Sequence, residues 1–312
     1  MGKLFYNHSF SYRVGVFMRN LLNRLAWITC LGMFLVLVMG TLVTKTESGR
    51  GCGDDWPLCN GKFVPDYTLS SVIEYSHRFV TGIEGLLVLS VFIMVLSRFK
   101  RRDAIFYASS ALFFTMVQAV LGAFAVVWPQ SAPVLALHFG FSLLAFVSTL
   151  LLALVVRDGK VDQAERNLIS VGFQRLVWIT WIYCYIVVYV GAFVRHTESS
   201  GGCIGWPLCN GEVVPEISGA QGIVFIHRLA ALLLFVLIAV IAYRAVNSKQ
   251  GSRVRKVSLW ILYLAVLQVL SGAFVTYALG TDWYLTAGMV HALIIACLFG
   301  ALSYLGVLVR TR

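Results

Sequence analysis

Apolar residues run along this chain in blocks of about twenty, each closed by a polar or charged interruption. A helix rising 1.5 Å per residue needs a block of that length to cross a hydrocarbon core of about 30 Å. Eight such blocks occur, at about residues 25–44, 72–97, 105–128, 133–156, 172–195, 221–245, 257–278 and 284–308. Most connections are short, which predicts an all-α integral membrane bundle rather than an anchor on a soluble domain. Residues 45–71 and 196–220 form two longer connections. Loops that stand out in a compact protein are usually functional.

Composition agrees with the pattern. The 312 residues are 59% hydrophobic and 12% charged, with a mean hydropathy of +0.82, whereas soluble domains carry about 25% charged residues. The net charge of +11 would suggest a nucleic-acid partner if it were spread over one face. Lys and Arg instead concentrate in residues 1–24, 98–102, 157–175, 244–256 and 310–312, alternating with neutral or acidic connections. That alternation is the positive-inside pattern. It places both termini in the cytoplasm and the two long loops outside. The charge then serves topology and lipid contact, and nucleic-acid binding is excluded. Residues 1–24 hold Lys3, Arg13, Arg19 and Arg24 and no acid. This resembles a weak organellar transit peptide, but a cytoplasmic basic arm fixing the first helix explains it more simply. No signal-peptide cleavage site is evident, so the first helix is expected to stay.

The chain repeats itself. TESGRGCGDDWPLCNGKFVP at 46–65 returns as TESSGGCIGWPLCNGEVVP at 197–215. Trp56, Pro65 and His77 map onto Trp206, Pro215 and His227 at an offset of 150, and His138 onto His291 at 153. The organisation expected is a basic arm 1–24, an N-terminal four-helix half 25–156, a cytoplasmic linker 157–171 and a C-terminal four-helix half 172–312. With an even number of helices, both halves enter the membrane in the same direction, related by a pseudo-two-fold axis along its normal.

Four of the six histidines fall in this register. Each lies a few residues inside a helix that starts on the outer side, so all four share a depth. Ionisable residues within a membrane are costly and mark function. Two imidazoles from alternate helices of each half can face one another and hold a planar iron macrocycle from both sides. The blander reading of each is a helix–helix hydrogen bond, and four in duplicate register speak against it. Zinc fits poorly, because no cysteine shares their depth. His8 and His196 fall outside the register and are expected to be surface residues, in the arm and an outer loop.

The halves differ at informative places. Glu74 precedes His77 by three residues, on the same helical face, and its counterpart is Val224. It is either a helix pair with Arg78, or a general acid/base or a group stabilising positive charge during an oxidation. Arg78 and Arg228 follow the histidines and suit haem propionates or snorkelling to the interface. Glu84, opposite Leu234 in the repeat, joins a proton path or pairs within the bundle. Cys52/Cys59 and Cys203/Cys209 lie in outer loops, where disulfides persist, as staples or as redox-active thiols. Cys30, Cys184 and Cys297 sit in apolar helices as small packing residues.

Together, LVTKTESGRGCGDDWPLC at 42–59, IEYSHR at 73–78, LALHFG at 135–140, VRHTESS at 194–200, the HR of His227–Arg228 and the VHA around His291 resemble the bacterial haem A synthase family over about residues 25–308. The resemblance implies oxidation of the C8 methyl of haem O to a formyl, giving haem A for cytochrome oxidase. It implies haem b as an iron cofactor on His227 and His291, and the substrate haem on His77 and His138. It also implies Glu74 as the catalytic residue and Cys52/Cys59 as the first-loop pair. The enzyme would sit in the bacterial cell membrane, with a haem O synthase and an electron-transfer protein as partners and an oligomer compatible with the pattern. Two rival functions use the same features: a non-enzymatic di-haem b electron carrier, and a membrane thiol oxidoreductase working through the loop cysteines.

Overall fold

The computed structural model describes residues 2–65, 67–128, 131–158, 169–248 and 251–310, with side chains from Phe17 onward. Eight helices are long and apolar enough to cross a membrane. We number them α1 (Gly2–Lys45), α2 (Leu69–Met94, continued by a π-helical turn Val95–Phe99), α3 (Arg102–Val127), α4 (Ala132–Asp158), α5 (Val171–His196), α6 (Gly219–Asn247), α7 (Ser252–Tyr277) and α8 (Tyr284–Leu308). Among the described residues there is no strand, only an isolated bridge in each long loop, Cys59 to Lys62 and Cys209 to Glu212.

Helix starts follow local chemistry. The hydroxyl of Thr68 accepts from the backbone N–H of Ser71 to open α2, and that of Ser170 accepts from Phe173 to open α5. These side chains satisfy amides that the first helical turn leaves unpaired. The backbone of α1 is helical from Gly2, through the basic segment, and its membrane-length stretch begins at Phe17. From Val16 to Leu31 the sequence has no Gly or Pro to break it. The side chain of His8 lies outside the described residues.

The packing order repeats. In the first half α1 packs on α2 and α4, and α3 lies between α2 and α4. In the second half α5 packs on α6 and α8, with α7 between α6 and α8. The halves meet through α4 on α5, α1 on α8 and α4 on α8. This central layer holds the largest buried side chains, including Met33, Leu143, Leu152 and Phe299. Small residues let its helices approach closely, as is usual where lipid supplies no hydrophobic drive between helices. A Cβ on Gly140 of α4 would stand 2.7 Å from the Tyr185 hydroxyl of α5, and one on Gly300 of α8 would stand 2.9 Å from Leu150 of α4. The outer helices instead turn Leu86, Phe113, Leu233 and Trp260 outward, as a lipid-facing surface requires. Cys30 and Cys184 are buried in the packing, whereas Cys297 is exposed on α8.

Candidate functional site

One cavity of about 2030 Å³ runs through both halves beneath the disulfide loops. Small-molecule sites usually occupy about 300–1,000 Å³, so this space suits two large ligands. His77, His138, His227 and His291 all line it. They come from α2, α4, α6 and α8, two alternate helices of each half.

Each imidazole lies against a glycine of a neighbouring helix. A Cβ on Gly40 would stand 3.2 Å from Cε1 of His77, and one on Gly122 would stand 3.4 Å from Cε1 of His138. On Gly191 it would stand 2.8 Å from Cε1 of His227, and on Gly272 3.3 Å from Cε1 of His291. Glycine is the residue that allows rings to sit this close to a helix backbone. The four glycines are themselves duplicated, Gly40 with Gly191 and Gly122 with Gly272, a signal present in the sequence but hidden among 27 glycines. Nδ1 of His77, His138 and His227 is buried without a partner. Two imidazoles per half, cleared of side chains on one edge and set in an apolar wall, fit the axial positions of a haem.

The second half holds one of its histidines more tightly. Ser271 Oγ lies 2.9 Å from Nδ1 of His291, and Gln268 Nε2 lies 3.1–3.2 Å from its ring nitrogens. The corresponding Gln118 contacts Met33 Sδ at 3.6 Å instead, and Ser271 corresponds to Leu121. Sequence comparison between halves could have found the serine but not the turned glutamine.

The disulfides Cys52–Cys59 and Cys203–Cys209 are formed, and each loop is tied down by the arginine after the histidine. Arg78 Nη1 donates to the carbonyls of Asp55 and Leu58 at 2.8 and 2.7 Å. Arg228 donates to the carbonyls of Leu208 and Cys203 and to the Thr276 hydroxyl at 2.9–3.2 Å. Glu74 is 3% exposed and lines the cavity. Its Oε1 accepts from Arg78 Nη2 at 2.5 Å, and its Oε2 accepts from the backbone N–H of Cys52 at 2.8 Å. The helix pair with Arg78 is therefore present, with a loop amide added from 22 residues away. Val224 instead packs against Cys203 and Cys209. Glu84 is buried on α2, with Oε1 unpartnered. Its Oε2 would lie 2.0 Å from a Cβ on Gly32 of α1, so the carboxyl faces α1 and does not line the cavity.

His196 corrects an expectation. It ends α5, is half-buried and lines the cavity, because α5 runs through His196, one residue past the apolar block. Its counterpart Lys45 ends α1 and also lines the cavity. Lys45 reaches across to α8, with Nζ 4.9 Å from the Tyr284 ring centroid and 2.6 Å from where Gly288 would carry a Cβ. Arg195 crosses the other way and donates from Nη2 to the Thr44 carbonyl at 2.8 Å.

Comparison with known proteins gives a consistent picture. The profile of the family described as Cytochrome oxidase assembly protein matches residues 23–69, 66–173 and 174–221. Heme A synthase of Exiguobacterium sibiricum is 40% identical over 275 residues, 88% of this chain and 90% of the relative. Heme A synthase of Shouchella clausii is 42% identical over 293 residues, 92% and 97%. Heme A synthase of Bacillus licheniformis is 42% identical over 298 residues, 94% and 97%. With matches spanning most of its length, and a duplicated histidine cavity at its centre, the chain belongs to the cytochrome oxidase assembly protein family.

Proposed function

We propose that this chain is a haem A synthase, a multi-pass membrane oxidoreductase that converts the C8 methyl of haem O to a formyl. The observation that carries this is one cavity lined by two imidazole pairs, with a buried carboxylate beside only one of them. His77 and His138 hold the substrate haem O. His227 and His291 hold haem b, which suits the half whose ligand is already fixed by Ser271 and Gln268. When bound, haem b supplies one-electron chemistry next to the substrate. The two halves are read as related by a pseudo-two-fold axis, with the loops on the outer face of the cell membrane and the termini in the cytoplasm.

The residues act by position and charge. Two successive two-electron hydroxylations, with oxygen taken from water and the electrons and protons passed to an external electron acceptor, turn the methyl into a geminal diol, which sheds water to the aldehyde. Glu74 places a negative charge beside the substrate ligand His77. Both its oxygens are engaged, so it suits stabilising positive charge on the substrate better than shuttling protons freely. Arg78 and Arg228 stand at the loop end of the cavity, and we assign them to the propionate end of each haem while they clamp the loop above it. The disulfides staple those loops; their contacts to Glu74 and Val224 favour this role over thiol exchange.

The test is to express the chain with haem O available and identify the extracted haems by mass. Haem A is the expected product. Two equivalents of unchanged haem b with no haem A would establish the di-haem electron carrier instead.

A further inference from the structure

Both halves present a histidine pair to the same cavity, yet their walls differ in a consistent direction along one seam. Gly82 and Gly85 of α2 line the cavity, and a Cβ on either would meet nothing within 4 Å. Their counterparts in α6 are Leu232 and Phe235, which also line the cavity. On the facing helices, Ala119 of α3 corresponds to Val269 of α7, again with both on the cavity wall. The glycines lie roughly 8 and 12 Å deeper than His77 at about 1.5 Å per residue. Because α2 and α3 are antiparallel neighbours, Gly85 is level with Thr115 and Gly82 with Ala119. The first half is thus hollowed below its histidines where the second half is filled.

A second observation concerns polarity. Thr115 lines the cavity in this seam, is 6% exposed, and its hydroxyl has no hydrogen-bond partner. Other threonines in these helices bond back to a carbonyl one turn earlier, including Thr29, Thr41, Thr81 and Thr180. A buried hydroxyl left unpaired is costly, and it marks a place where a ligand group can complete the bond. The corresponding residue of the second half is Ala265.

Haem O and haem b share the macrocycle and propionates. They differ in that haem O carries a long isoprenoid chain attached through a hydroxyl-bearing carbon. The two differences between the cavity halves, added room and one unpaired hydroxyl, match the two differences between the haems. We propose that the seam of Gly82, Gly85, Thr115 and Ala119 is the specificity site for the hydroxylated isoprenoid chain, with Thr115 bonding the chain's hydroxyl and the glycines admitting its hydrocarbon. The inference rests on assigning the first half to the substrate. Leu232, Phe235 and Ala265 then exclude the same chain from the cofactor half.

The experiment uses the full chain with its second half saturated by haem b. The first half is titrated separately with haem O and with haem b, following the absorption spectrum of bis-imidazole ligation. The wild type should bind haem O more tightly than haem b. The double substitution Gly82→Leu with Gly85→Phe should weaken haem O about 10-fold or more by filling the seam, leaving haem b binding within about 2-fold. Thr115→Val should weaken haem O alone by about 5-fold, the size of one lost hydrogen bond. The haem b titration also shows that each variant is folded. Unchanged haem O affinity in the double variant, or equal loss of both haems, would overturn the proposal while leaving the substrate assignment standing. If the wild-type first half binds neither haem, the substrate assignment fails and the seam falls with it.

Discussion

The two halves of this protein share a packing order, a disulfide loop, an arginine clamp and a glycine-backed histidine pair, and they differ in what surrounds that pair. In the second half His291 is held by Ser271 and Gln268, Val224 packs on the disulfide, and Leu232 and Phe235 fill the wall. In the first half His138 lacks the serine and glutamine side-chain contacts, Glu74 binds the loop through charge, and glycines open the wall. On the function proposed above, one half retains a ligand and the other exchanges and transforms one. The difference teaches that a duplicated binding scaffold becomes an enzyme by altering the neighbours of its ligands while the ligands themselves stay.

The largest expected effect comes from removing the ligands. His291→Ala should strip the purified protein of its resident haem b, whereas His138→Ala should leave that haem in place and stop haem A formation. Pyridine haemochrome content read beside product mass separates the two; equal haem loss from both variants would erase the proposed division of labour. Next, Glu74→Ala should lower haem A yield by about 100-fold or more, within the range for a charge aimed at the reacting centre, with haem content retained. Val224→Ala should not change yield by more than about 2-fold; a normal yield from the Glu74 variant would sink the catalytic role.

Smaller effects probe the glycine cradles. Gly191→Ala forces a methyl to 2.8 Å from His227, whereas Gly122→Ala meets His138 at 3.4 Å, an ordinary contact. The first should weaken haem b retention by about 1–3 kcal/mol as overpacking, and the second should weaken haem O binding in the first half by much less, each measured as haem transfer to an apo-globin acceptor. Gln268→Ala should lower haem b affinity by about 10-fold, as for other groups that orient a metal ligand. Gln118→Ala, which removes a contact to Met33, should leave first-half ligation unchanged.

Much of this was legible in the sequence because a membrane imposes length and makes charge conspicuous. Eight blocks of apolar residues gave eight helices, and histidines rare enough to stand out gave the cavity lining. Other features depend on contacts between distant segments and left no local mark. The bond from the Cys52 amide to Glu74 joins a loop to a helix. His196 looks like a loop residue until α5 is seen to extend through it. The glycines behind the histidines were written in duplicate, yet glycine is too common in membrane helices for the repeat to announce itself. Lys45 was visible only as one basic residue of a loop motif, and its reach to α8 follows from how the halves dock.

That reach has a further consequence. Lys45 leaves the first half to rest on Tyr284, and Arg195 leaves the second to bond the Thr44 carbonyl, so each half borrows a cation from the other at the rim of the shared cavity. The unit that was copied is therefore not a unit that can stand alone. Cutting the linker would yield two symmetrical-looking pieces, each with an incomplete rim. The repeat supplies the parts, and the rim of the cavity is completed only where the two halves meet.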